Sequence, residues 1–436
     1  MTSTMTLTAD ARATGSSMQH IVWASALGTA VEWYDFVLYG TAAALVFNKL
    51  FFPTFDPVVG TIAALGSYAV GFVARPVGGA IFGHFGDRVG RKAMLTLTMM
   101  IMGSGTFLIG CLPTYEQIGI AAPILLTVFR LLQGIGIGGE WGGAVLMVVE
   151  NSERDRRGFF GSLVQIGFPA GLVLATLAFS AVSKLPEAQF LSWGWRIPFL
   201  ISFVLVFLGL FIRMRLIETP AFRDLVAREA TIDMPVVHAL VQEWKPFLIS
   251  VGMKVSEVAW VYILTVFVVY YATTQLNLSR TLILDAVLYA ALFELVTVPF
   301  FGWLSDRWGR RTLYIGGAVL SATLAFPLFS LIETKDALTI TLTMIVAMSI
   351  AHATMYGPQA AFMPELFGTG SRYSGASLGC QVSAAISGGF APIVATSLLA
   401  WQGNTHGVSF FLIVLALITL FSVVVARETA QRPMLK

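Results

Sequence analysis

The chain has 436 residues, of which 56% are hydrophobic and only 12% charged, with a net charge of +3 and a mean hydropathy of +0.79. Soluble domains carry roughly 25% charged residues, so these proportions exclude a water-soluble fold and make lipid the main solvent of the chain. A small net charge with no basic tract excludes a nucleic-acid partner, and two cysteines, Cys111 and Cys380, both in apolar runs, exclude a disulfide framework and a cysteine metal site.

Residues 1–20 are polar, lack the apolar core of a signal peptide and read as a cytoplasmic tail. A helix needs roughly 20 apolar residues to cross a bilayer. Runs of that kind predict six helices over 21–215: Ile21–Phe47, Thr61–Phe82, Ala93–Leu112, Ala122–Val149, Gly158–Val182 and Trp195–Arg213. A polar cytoplasmic linker is predicted over 216–245. Six more helices are predicted over 246–426: Phe247–Thr273, Thr281–Leu304, Leu313–Ile332, Ala337–Phe362, Tyr373–Ala400 and Val408–Val425. Residues 427–436 form a second cytoplasmic tail. The predicted fold class is an all-α membrane protein with about twelve transmembrane helices in two pseudo-symmetric six-helix bundles.

Of the 27 Lys and Arg residues, 19 fall on the segments that are cytoplasmic when the N-terminus is inside, and 5 on the opposite set. The other three, Arg75, Arg130 and Lys254, lie inside predicted helices. Positive charge is enriched on the inside, so both termini are expected in the cytoplasm.

The two halves repeat one another. Gly83–Lys92 reads GHFGDRVGRK and Gly302–Arg311 reads GWLSDRWGRR, an offset of 219. Glu150-x6-Arg157 recurs as Glu365-x6-Arg372, and Ser162-Leu163 as Ser377-Leu378, both at an offset of 215. Two parallel repeats related by an axis along the membrane normal describe a major facilitator type of transporter. The islands read as a cytoplasmic gate built from Gly83, Asp87, Arg88, Gly90 and Arg91, with Gly302, Asp306, Arg307, Gly309 and Arg310 as their counterparts. Glu150, Arg157, Glu365 and Arg372 complete it. Asp87 and Asp306 are expected to cap or pair across the seam between halves, with Arg157, Arg372 or helix ends.

The islands resemble the loop signature of the major facilitator superfamily, and Arg130-Leu131-Leu132-Gln133-Gly134 resembles its fourth-helix pattern. Further strings are similar to the metabolite:proton symporter branch: Glu32-Trp33-Tyr34-Asp35-Phe36, Arg75-Pro76, Gly138-Gly139-Glu140-Trp141-Gly142-Gly143, the run from Phe190 to Arg196, Pro364-Glu365-Leu366-Phe367 and Arg372-Tyr373-Ser374-Gly375. The resemblance covers nearly the whole chain and is closest to the shikimate-transporter group. It implies uptake of organic acids such as shikimate, α-ketoglutarate and citrate, or of betaine-type osmolytes, together with protons. It also implies that a carboxylate in helix one, matched here by Asp35, works with an arginine in helix four, matched by Arg130, as the proton switch.

A charge at the bilayer centre costs about 2.5–3.5 kcal/mol, so intramembrane charges are functional candidates. At 1.5 Å rise per residue, Asp35 reaches the height of Arg130, and Arg75 that of Glu140. Two pairs are therefore predicted, Asp35 with Arg130 and Arg75 with Glu140, all four serving proton coupling. Arg130 is also a candidate anion ligand, since guanidinium binds carboxylate bidentately. Lys254 and Glu257 share a helix face; either they neutralise each other, or Lys254 faces the cavity as the anion ligand of the second half. Glu294 is a further buried candidate, His352 is one more group able to titrate, and Tyr34, Gln133, Trp141, Tyr262, Tyr356 and Gln359 are candidate cavity-lining residues.

The glycines of Gly134-Ile-Gly136-Ile-Gly138-Gly139 mimic a dinucleotide motif, but no strand precedes them. Spaced by four, Gly134, Gly138 and Gly142 read as a face for close helix packing. No nucleophile–base set or metal cluster is evident, so an enzyme is not expected, and neither is a cofactor. The expected function is proton-coupled import of a small organic anion by alternating access, in the plasma membrane and as a monomer, with lipid and protons as partners. An osmolyte or polyol symporter is the alternative; a membrane-embedded enzyme or a transporter-like receptor ranks below both.

Overall fold

The computed structural model describes residues 18–89, 91–138, 141–214, 240–368 and 372–433. Within these the chain forms α1 (18–50), α2 (Pro57–Val89), α3 (Arg91–Cys111), α4 (Ala121–Ile137 continued by Trp141–Asn151), α5 (Arg154–Ser183) and α6 (187–214) in its first half. The second half supplies α7 (Trp244–Gln275), α8 (Arg280–Trp308), α9 (Arg310–Glu333), α10 (Ala337–Glu365), α11 (372–402) and α12 (His406–Val425). Ten described helices are long and apolar enough to cross a membrane, and Thr96–Cys111 is a shorter apolar one. Residues 215–239, most of the predicted linker, lie outside the described residues, as do Gly90 and Glu140 and the side chains of Asp87, Arg88 and Arg91.

Local chemistry starts and stops these helices. Pro57 opens α2, where its missing N–H costs nothing. Ser279 Oγ accepts the Leu282 N–H at the start of α8, and Asp336 accepts the Thr339 N–H at the start of α10. The N–H and hydroxyl of Thr339 hold the Asp336 carboxyl below its ordinary range. The charged islands, expected as loops, are mostly helix. Gly302–Trp308 is the last stretch of α8, Gly309 alone turns the chain at φ 98°, and Arg310 already begins α9. That φ is open to glycine and strained for most other residues.

In the first half α1 packs on α5, α2 on α4, and α3 on α6; in the second, α7 and α9 both pack on α12. The halves meet along α5 against α8 and α10, and along α2 against α11. The α2–α4 crossing is made backbone to backbone. A Cβ on Gly134 would strike the carbonyl of Gly71, and one on Gly138 the carbonyl of Arg75. The spacing of these two glycines therefore serves close packing, as small-residue faces do in membranes.

Several central helices contain π turns, including Ala43–Phe47 in α1, Ile263–Phe267 in α7, Val346–His352 in α10 and Ala384–Gly388 in α11. Such turns are frequent at functional sites.

Candidate functional site

Between the halves lies a cavity of about 60 Å³. The first half contributes Thr29, Glu32, Trp33, Phe36, Arg75, Trp141 and Phe168; the second contributes Lys254, Glu257, Tyr262, His352, Tyr356, Cys380 and Gln381. On α1, Thr29, Glu32, Trp33 and Phe36 recur at intervals of three and four, which places them on one helix face. Of the predicted site residues, Arg75, Trp141, Lys254, Glu257, Tyr262 and Tyr356 line this cavity, with one cation from each half. Tyr34 does not: its hydroxyl donates to the Pro198 carbonyl at 2.6 Å, on the far side of α1.

Asp35, Arg130 and Gln133 sit behind the first-half wall. Arg130 is fully buried and Asp35 1% exposed. They do not form the expected ion pair in this state. The Arg130 guanidinium lies over the rings of Phe36, Tyr39 and Tyr68, at 3.9, 4.4 and 4.7 Å. Its Nη1 donates to Gln133 Oε1 at 3.1 Å, and Gln133 Nε2 donates to Thr106 Oγ1 at 2.6 Å. Neither carboxylate oxygen of Asp35 has a well-formed hydrogen bond among the described residues, although Thr106 and Arg130 are both near enough to act on it. A polar chain thus runs from Arg130 through Gln133 and Thr106 toward Asp35. On the cavity side of the same wall, Arg75 stands 4.0 Å from Phe36 and 4.5 Å from Phe72. Phe36 therefore carries a guanidinium near each face, one in the cavity and one behind it. Its position next to Asp35, in the quoted string of α1, was the signal for it in the sequence. The predicted partner of Arg75, Glu140, lies outside the described residues.

The second half holds a continuous buried network. Lys254 Nζ donates to Glu257 Oε2 at 2.9 Å and to Gln359 Oε1 at 2.6 Å. Gln359 Nε2 reaches Glu257 Oε2 at 2.7 Å and the Tyr314 hydroxyl at 2.9 Å. His352 Nε2 lies 3.0 Å from Glu257 Oε1, while its Nδ1 contacts Glu294 Oε1. Lys254 pairs with Glu257 and also faces the cavity. Gln359 and Glu294 support the wall from behind, whereas His352 closes a π turn of α10 and reaches the cavity itself. The sequence reading missed this role of His352, since its partners come from α7 and α8, far away in the chain.

Two latches close the cavity. On the side of the chain termini, Asp306 accepts the backbone N–H groups of Gly158 and Phe159, at 2.8 and 2.9 Å, where α5 begins in the opposite half. Arg310 holds Asp306 at 3.0 Å and clasps Glu365 at 2.7 and 3.1 Å. Arg372 bridges to Glu150 of the first half at 3.1 Å. Asp306 thus caps a helix end across the seam, as anticipated, but its charged partner is Arg310 rather than Arg157, which donates to the Arg432 carbonyl at 3.4 Å. Arg307 lies over the Trp303 ring at 4.1 Å and, among the described residues, takes no part in the latch contacts. Gly302 and Gly158 cross so closely that a Cβ on either would strike the other's carbonyl. On the opposite side, Glu187 binds Lys49 at 2.9 Å and Arg280 at 2.5 Å, and Ser180 donates to Asp285 at 3.1 Å. This second latch joins α5–α6 to α8 and was not anticipated, because Glu187, Lys49 and Arg280 belong to no repeated motif.

Residues 21–234 match the family described as sugar (and other) transporter, and residues 255–435 match the major facilitator superfamily. The chain is 42% identical over 406 residues to the shikimate transporter of Escherichia coli (strain K12), covering 92% of this chain and 93% of that protein. It is 36% identical over 430 residues to the proline/betaine transporter of the same organism, covering 96% and 85%. Among solved structures, the D-xylose-proton symporter superposes with a TM-score of 0.74 at 17% identity, over 96% of this chain and all of that one.

Proposed function

The chain belongs to the major facilitator superfamily of membrane transporters, and from that premise we propose that it imports a small organic acid together with protons. Both termini lie in the cytoplasm in this reading, so the Asp306 latch is the inner gate and the Glu187 latch the outer one. The observation that carries it is the wall shared by Phe36, Arg130 and Asp35 beside the cation-lined cavity. Arg75 and Lys254 offer an anion one cation from each half, so binding draws the halves together. Asp35 has two available partners, a proton or the guanidinium of Arg130, and an arginine nearby favours the charged carboxylate. When Phe36 turns and a substrate carboxylate engages Arg130, the proton becomes the better partner of Asp35. Substrate and proton then cross together. The E. coli shikimate transporter, similar along nearly its whole length, makes shikimate the first substrate to try.

Purified protein in liposomes should accumulate shikimate under an inward proton gradient and lose that accumulation with a protonophore. Asp35→Asn should abolish accumulation while counterflow exchange survives. Accumulation by the Asn variant equal to that of the wild type would sink the reading. A second reading is favoured by the aromatic lining, Trp33, Phe36, Trp141, Phe168, Tyr262 and Tyr356, since aromatic faces recognise quaternary ammonium groups. If glycine betaine displaces labelled shikimate, or is transported in its place, the substrate is an osmolyte.

A further inference from the structure

The buried network of the second half contains a proton count. His352 presents Nε2 to Glu257 and Nδ1 to Glu294, each to a carboxylate oxygen within hydrogen-bonding distance. A neutral imidazole carries only one N–H, and its other nitrogen is an acceptor. A carboxylate is an acceptor too, so one of the two contacts would set lone pair against lone pair. Both contacts are satisfied only when the three groups hold a second hydrogen, either as imidazolium or as a protonated carboxyl. Charge agrees with this. With that proton, His352, Glu257 and Glu294 carry one net negative charge, which Lys254 at 2.9 Å from Glu257 cancels. Without it, two carboxylates face a single lysine.

Among the described residues, no acid or base other than Lys254 touches the triad directly. Tyr356 stacks on the His352 ring with centroids 5.0 Å apart, and Phe168 of α5 meets its edge at 5.7 Å. Tyr314 reaches the network through Gln359. Tyr262, Cys380, Arg75 and Glu32 face the same cavity, Arg75 and Glu32 from the opposite half.

We propose that Glu257, His352 and Glu294 form a second proton-carrying site, in the half opposite Asp35, whose proton must be present before an anion can be taken by Lys254. It rests on the reading of the protein as a proton-coupled carrier of organic anions and extends it from one proton site to two. The proton enters from the outer water, is held on the imidazole or a carboxyl, and leaves to the inner water after the substrate. While it is held, the cavity wall of the second half is neutral and Lys254 is free to share its N–H groups between Glu257 and a substrate carboxylate. Once it is lost, the wall is negative, repels the anion and binds Lys254 to itself.

The test removes one acid without changing shape. Wild type and Glu294→Gln, reconstituted in lipid nanodiscs without substrate, are titrated from about pH 6 to pH 9, the range in which histidine-centred sites change charge, and the protons released are counted. Wild type should release one more proton than Glu294→Gln. Shikimate affinity should fall with pH more steeply in wild type than in Glu294→Gln, by about a further tenfold per pH unit above the titration point, the slope for one additional linked proton, the variant keeping only the dependence that Asp35 supplies. Equal counts, with the same slope in both proteins, overturn the proposal. Should Glu294→Gln not fold, His352→Gln decides by the same count. The two readings fail separately. Wild-type uptake that ignores a protonophore refutes symport while the substrate-free count still judges the triad. Protonophore-sensitive uptake with equal counts refutes the triad alone.

Discussion

Phe36 is the residue on which the first-half site turns. It separates two guanidiniums that stand 4.0 and 3.9 Å from its ring. A cation over an aromatic face contributes about 0.5–2 kcal/mol, more when desolvated, so the ring steadies both arginines while keeping Arg130 out of the cavity. Phe36→Leu removes the face and the barrier at once. Accumulation of shikimate should fall about tenfold, the equivalent of 1.4 kcal/mol, with exchange preserved, and Phe36→Tyr should behave as wild type. Uptake that the Leu variant drives as steeply as wild type does would show the ring to be packing alone. The heights of Asp35 and Arg130 were legible in the sequence, because rise per residue is constant along a helix. Their failure to pair was not. Rise says nothing of the direction a side chain takes around its axis, and here the aromatic rings of α1 and α2 capture the guanidinium first.

Helices were the most legible level, because lipid admits only long apolar runs whose backbone bonds are satisfied internally. Less legible were the places where one helix leaves its regular path. The π turn ending at His352 leaves no mark in hydrophobic periodicity, and the islands looked like loops because charge in a membrane protein usually means water. The glycine crossings were readable as spacing, but their two kinds were not distinguishable. Gly134 meets the backbone of Gly71 within one half, whereas Gly302 meets Gly158 across the seam between the halves. The same alanine should therefore act differently at the two. Gly134→Ala forces a fixed pair of backbones apart, and overpacking of this kind costs typically about 1–3 kcal/mol; a lower melting temperature and yield should follow, while Gly66→Ala, with nothing within 4 Å, should be neutral. Gly302→Ala should leave melting nearly unchanged and open the seam. Cys380, buried and in the cavity wall, then becomes more reactive to maleimide, and unchanged labelling would refute the distinction.

Taken whole, the described residues place a latch on each side of the cavity, and the two differ in kind. Asp306, which crosses the seam to the Gly158 and Phe159 N–H groups, is 5% exposed, whereas in the pair that crosses on the other side Glu187 is 52% and Arg280 20% exposed. Charged hydrogen bonds of the first sort contribute about 1.5–3 kcal/mol each, and exposed pairs of the second about 0–1 kcal/mol. Asp306→Asn should raise Cys380 labelling from the inner side at least about tenfold, whereas Glu187→Gln should raise it from the outer side less than about fivefold. Equal effects in sealed vesicles of opposite orientation would contradict this ranking. The half-exposed outer bridge also exposes the carrier to the composition of the medium. Dissolved ions shorten the reach of charge from about 8 Å at 0.15 M to about 3 Å at 1 M, and they act on Glu187 but not on the sealed Asp306–Arg310–Glu365 cluster. On the proposed orientation, the carrier would wait in brine with its outer mouth open more often than in fresh water, and the salinity outside the cell would become an input to its uptake rate.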